Sequence, residues 1–240
     1  MAFAVLRNAT GDTTGGSVVT STAFTPGVGE LLVAFVSLIS SGSDSIRPAL
    51  VGSNGLSFSR QSVYWGGSSE NFMAIYIADG VVGSAASMTV SIDWGVNVAT
   101  GASFVVAGIQ GLQKVGGPTG GGVGEGAMAH NGSNTNGVSS VPTYSTAPAL
   151  SVDNLIMTFV ASFDNPPTVT APTGFIAFSS VGHATPAAGI QVVQRQYGGA
   201  PAALAWGSAA TGPYGSLYIE FACDNLDSTD RPQFVLGSGI

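Results

Sequence analysis

The sequence predicts an all-β protein built as two tandem antiparallel β-sandwich domains of jelly-roll-like form. Two observations carry the prediction. The run GELLVAFVS at 29–37 returns as DNLIMTFVAS at 153–162, so Phe35 matches Phe159, Leu31 matches Leu155 and Leu32 matches Ile156. Between and around these runs lie strand-sized apolar segments separated by Gly, Ser and Asn turns, and no stretch sustains a helical period. Closely spaced short strands with turn signals are the pattern of a sandwich.

Taken in order, residues 2–7 read as an opening strand and 8–16 as turn material. Residues 17–22 are β-prone through Val18 and Val19, and Pro26 and Gly27 punctuate the chain before the strand at 31–39. A polar loop at 40–45 precedes short β runs at 50–51 and 56–63, separated by an Asn54-Gly55 turn. Strands at 72–78, 88–92 and 102–109 complete a first domain over residues 1–112. Residues 113–137 read as a Gly-rich linker or the opening of the second domain. Gly116, Gly117, Gly120 to Gly122, Gly124 and Gly126 dominate there, with no Gly-Lys-Ser/Thr ending to make a phosphate loop.

The second domain, 138–223, repeats the plan. Residues 138–144 are β-prone, and 155–163 repeat the 31–39 strand. Thr173-Gly174-Phe175 matches Asn54-Gly55-Leu56, and Phe178 falls near the counterpart of Phe58. Residues 190–197, 203–206 and 216–222 stand for 72–78, 89–92 and 103–109. A tail at 224–240 carries Asp227, Asp230, Arg231 and Pro232 ahead of Phe234, Val235 and Leu236, which read as an arm.

The alternation of a strand puts successive side chains on opposite faces. In the second domain Leu217, Ile219 and Phe221 would face a core while Ser216, Tyr218 and Glu220 face out, and Gln191, Gln194, Arg195 and Gln196 add polar groups to an accessible face. The first domain lacks such a polar face. Leu32, Val36 and Leu38, with Met73, Ile75 and Ile77, are apolar on positions where a sheet in water should be polar. An uncovered apolar patch marks an interaction surface. The expectation is that another subunit covers these residues, with Phe234, Val235 and Leu236 joining the contact. The competing expectation is cover by the chain's own loops or second domain.

Charge and chemistry exclude more than they assign. Charged residues are 8% of the chain and the net charge is −7, so a nucleic-acid backbone is not an expected partner. The longest apolar run, at 31–39, is far short of the ~20 residues of a membrane helix. The opening MAFAVLRNAT lacks the basic start and apolar core of a secretory signal. The single Cys223, in LYIEFACD, reads as a small buried hydrophobe. His130 and His183 sit in loop-like surroundings without a Gly-x-Ser-x-Gly elbow. The carboxylates Glu30, Glu70, Asp79, Asp93, Asp164 and Glu220 are scattered, and Asp224, Asn225, Asp227 and Asp230 lack calcium-loop spacing. No catalytic residue, cofactor or metal ligand set is expected, and the chain reads as a non-enzyme. Trp65, Trp94 and Tyr214 lie in or beside Gly-rich turns, where rings can stack on a sugar or cap the end of a core.

The phrases ENFMAIYIADGV at 70–81, MTVSID at 88–93 and ASFVVAGIQGL at 102–112 resemble accessory virion proteins of tailed bacteriophages. These include capsid decoration (cement) proteins, fibres and baseplate-associated proteins. The resemblance covers most of residues 1–222. It implies a structural virion protein, most simply a capsid decoration protein. Such a protein packs on the particle as a symmetric homo-oligomer, for instance a trimer, against a major capsid or tail protein after assembly in the host cytoplasm. A second reading is a carbohydrate-binding adhesin or receptor-binding module using Trp65, Trp94 and Tyr214.

Overall fold

The computed structural model describes residues 3–12, 17–39, 49–65, 71–94, 101–112, 128–134, 143–144, 155–162, 169–184, 187–196, 204–207 and 214–221. Among them there is no helix. The strands are β1 (Phe3–Asp12), β2 (Val18–Thr20), β3 (Leu31–Ile39), β4 (Ala49–Gly52), β5 (Phe58–Trp65), β6 (Asn71–Val81), β7 (Val90–Asp93) and β8 (Ala102–Gln110). They continue as β9 (Met128–Asn134), β10 (Thr143–Tyr144), β11 (Leu155–Ser162), β12 (Ile176–Ala184), β13 (Ala187–Gln196), β14 (Leu204–Ala205) and β15 (Tyr214–Phe221).

Two five-stranded antiparallel sheets dominate. Sheet I runs β1-β8-β3-β6-β5, and sheet II, read from β9, runs β9-β15-β11-β13-β12. A three-stranded sheet III (β2-β7-β4) and a two-stranded sheet IV (β10-β14) accompany them. The repeated run occupies the centre of both large sheets. β3 is flanked by β8 and β6, and β11 by β15 and β13. A nine-residue apolar strand suits such a place, because a central strand has no edge to expose and both of its faces can be covered.

The layering follows from register. Phe35 lies opposite Ile75 on β6 and Val105 on β8, so these three share a face. That face meets sheet II, where Phe35 makes an edge-to-face contact with Phe159 at 5.5 Å between ring centroids. Val192 and Leu217 lie opposite Phe159 and share its face. One continuous apolar cluster therefore includes Val33, Phe35, Ile75 and Val105 of sheet I with Met157, Phe159, Val192 and Leu217 of sheet II. On the far side of sheet I, Phe72 packs edge-on against Trp94, which follows β7, and Val19, Leu50 and Ile92 of sheet III belong to the same cluster. On the far side of sheet II a second cluster joins Ile156, Val160, Val193 and Tyr218 to Leu204 and Trp206 beside β14. Two small sheets thus cap the outside of two large ones, each apolar face buried against the next layer.

Two of the matched turns share a left-handed glycine. Gly55 and Gly174 both adopt positive φ, at 87° and 82°, a conformation open to glycine at no steric cost. The Phe175 N–H donates to the Pro172 carbonyl across the second turn.

The layers correct the expectation of a second subunit over the first domain. Leu32, Val36, Leu38, Met73, Ile75 and Ile77 are at most 1% exposed in the isolated chain. Their cover is intramolecular: sheet II over one face of sheet I, sheet III over the other. The polar face expected in the second domain is also covered, since Ser216, Tyr218 and Glu220 are all buried. Gln191 and Gln194, expected on one accessible face, are half-buried on opposite faces of β13.

Candidate functional site

The densest polar cluster with described side chains is internal. It grows from a departure in β1, where the ladder to β8 slips between Leu6 and Asn8 and leaves Arg7 in a bulge. From there the Arg7 guanidinium reaches Glu30, at the entry to β3, donating through Nε at 2.8 Å to Oε2 and through Nη2 to Oε1. Gln110, at the end of β8, donates its amide N–H to the same Oε1. Glu30 is fully buried and Arg7 keeps 20% exposure. Gly108 makes the room: a Cβ there would collide with the Glu30 carboxylate. Burial alone would raise the Glu30 pKa, but hydrogen bonds from Arg7, Gln110 and the Gly27 backbone, with the Arg7 charge, outweigh it and hold the carboxyl below its ordinary value. A carboxylate whose oxygens are taken up by a guanidinium and an amide is held ionised and shielded. That suits a clamp between β1, β3 and β8 and not a proton-transfer group.

Several other described polar groups tie strands together. Asp79 accepts from the Ser57 and Ser59 hydroxyls at 2.6 and 2.5 Å, tying β6 to the start of β5. The Asn8 amide donates to the Thr22 carbonyl at 3.0 Å and to its hydroxyl at 2.6 Å, holding β1 to the segment after β2. The Thr158 hydroxyl donates to the Leu217 carbonyl at 2.9 Å, and Trp206 Nε1 donates to Ser216 Oγ at 3.1 Å.

The structure does not gather the aromatic candidates for sugar contact. Trp94 is 2% exposed, wedged against Phe72, and fills the end of the core. Trp65 ends β5 and Tyr214 begins β15, on different large sheets, and their side chains lie outside the described residues. Phe234, Val235 and Leu236 lie outside the described residues too, as do Cys223, Glu70, Asp164 and the Asp224–Asp230 cluster. Of the histidines, His183 is half-buried on β12, opposite Ala188, and His130 lies on β9 opposite Glu220. Among the described residues no three His, Cys, Asp or Glu side chains come together as a metal site, and no helix is long and apolar enough to cross a membrane.

Sequence reasoning did not pick out the Arg7–Glu30–Gln110 cluster. Glu30 was visible only as a scattered carboxylate, because its partners lie 23 and 80 residues away. Set against known proteins, the chain matches no family model, no curated protein and no solved structure.

Proposed function

We propose that this chain is a structural subunit of a virus particle, a capsid decoration protein that packs on the outside of a tailed-phage head or tail as a symmetric oligomer. The observation behind the reading is that polar clusters among the described residues brace strands against one another. Arg7, Glu30 and Gln110 clamp β1 to the centre of its sheet, and Asp79 ties β5 to β6. A rigid, four-layered β-body with a charge-poor surface suits a part that packs against neighbours, since little like-charge repulsion keeps copies apart.

The finer architecture belongs to the same proposal. Each large sheet with its small outer sheet is one jelly-roll-like sandwich, and the chain is that sandwich written twice. Because the apolar faces of sheet I are spent inside the chain, partner contacts fall to outer positions such as Val28, Val51 and Ile176, which are 68%, 52% and 62% exposed. The partners in this reading are further copies of the chain and a major capsid or tail protein.

The test is assembly. Light scattering on the purified native protein, with electron microscopy of particles that carry it, should give a closed symmetric oligomer bound at fixed stoichiometry to a repeating lattice. A protein that stays monomeric and occupies no regular position on a particle contradicts the proposal.

A further inference from the structure

We infer that the packing of sheet II on sheet I can form between chains as well as within one, so that a second copy of this chain supplies sheet II against sheet I and the two make a two-fold dimer by exchange of halves. The inference goes beyond the virion reading and does not depend on it.

The argument begins with strand order. Matched through the repeat, β1, β8, β3, β6 and β5 of sheet I correspond in place to β9, β15, β11, β13 and β12 of sheet II. The packing between the sheets is then reciprocal. β1 lies on β12, the counterpart of β5, and β5 lies on β9, the counterpart of β1. β8 meets β13, the counterpart of β6, and β6 meets β15, the counterpart of β8. Phe35 at the centre touches its own counterpart, Phe159. In an isologous interface, where one patch meets a copy of itself, residue i meets j, j meets i, and a residue on the two-fold axis meets itself. The inside of this monomer obeys that rule, with the approximate axis parallel to β3.

Apart from buried Ser37 and Ser103, which share the face of Phe35, the mating surfaces are apolar at their centre and carry nothing that marks them as one chain's own. Val33, Phe35, Ile75 and Val105 on one side and Phe159 and Leu217 on the other are fully buried and apolar, and burial of that kind is non-directional. A sheet II from another copy would make the same contacts. Within one chain the advantage is only the effective concentration set by the length of the connection, of order mM for a short tether. That connection is residues 111–127, between the end of β8 and the start of β9. Gln110 is one strand from Leu31 at one end of sheet I, and Met128 is two strands from Leu155, the Leu31 counterpart, in sheet II. With strands ~4.8 Å apart and sheets ~10 Å apart, the two ends are separated by about 17 Å.

The test is made on that length. Deleting residues 113–127 leaves Gly111 and Leu112 between Gln110 and Met128, and three Cα steps reach at most about 11 Å. The halves can then pair only between chains. The shortened chain should run at twice its monomer mass by light scattering, with the β circular dichroism of the parent. In parallel, the full-length chain is refolded from denaturant over a range of concentrations. Its dimer should be scarce at protomer concentrations around 1 µM and abundant as they approach the mM range. Two differently labelled full-length preparations should form mixed dimers when refolded together but not when mixed as native protein. A shortened chain that is folded and monomeric overturns the inference. If the shortened chain does not fold, the refolding experiment decides: full-length protein that stays at its native mass at every concentration, or labelled copies that mix equally well without refolding, overturns it. Association through outer surfaces, as in the virion reading, appears on native mixing and is thereby distinguished.

Discussion

Glu30 shows how one side chain can set a pH limit on a β-body. Its carboxylate is fully buried, held by Arg7 and Gln110, and ionises more readily in the folded chain than its ordinary value of 4.5. A lowered folded pKa means that the stabilisation is complete above that ordinary value and is lost as pH falls through the folded one. Thermal melts of the wild type should therefore fall as pH drops below about 4.5, and the Glu30→Gln variant should show a smaller fall over the same window. At neutral pH the same variant strands a mostly buried guanidinium. Breaking a fully buried pair costs ~3–5 kcal/mol, and the residual exposure of Arg7 brings the expected loss in a denaturant titration down to about 2–3 kcal/mol. A second residue-scale difference separates the two outer cores. Trp206 donates to Ser216, whereas Trp94 Nε1 has no partner among the described residues and its ring sits against Phe72. Ser216→Ala should cost about 1–3 kcal/mol by orphaning the Trp206 N–H, read from the urea midpoint.

At the scale of elements, legibility followed the amount of unbroken apolar sequence. β3 was readable from end to end, because a central strand covered on both faces is a continuous apolar run. β9, with the sequence MAHNGSN, offers no alternation and fell inside the Gly-rich stretch, yet it pairs along β15 from Ser216 to Phe221. β12 was marked only by the match of Phe178 to Phe58 and had no bounds of its own, for another reason: its ladder to β13 slips between Ala177 and Ser179, and the slip breaks the period of two that would have outlined it. β1 ran on to Asp12, beyond the expected Arg7, because β8 continues to pair with the polar ATGD segment. The cover over Leu32, Val36 and Leu38 was not legible at all. A single sequence carries the apolarity of a face but not the identity of the layer lying on it. Phe159 tests the packing of the two central elements. Phe159→Ala removes the ring that Phe35 meets and should cost ~3–5 kcal/mol in chemical denaturation.

For the molecule as a whole, the apolar interior does not stop where the sequence repeat begins again. Residues of β3, β6 and β8 share one cluster with residues of β11, β13 and β15, and the same cluster extends outward to sheet III. Halves that share an interior cannot unfold independently, since separating them would expose both inner faces to water at ~25 cal/mol per Å² of apolar area. Calorimetric unfolding of the native protein tests this most directly. One transition is predicted, with calorimetric and van't Hoff enthalpies in agreement, and Phe35→Ala and Phe159→Ala should both move that same transition to lower temperature. Two resolved transitions, with Phe35→Ala shifting only one and Phe159→Ala only the other, would contradict it.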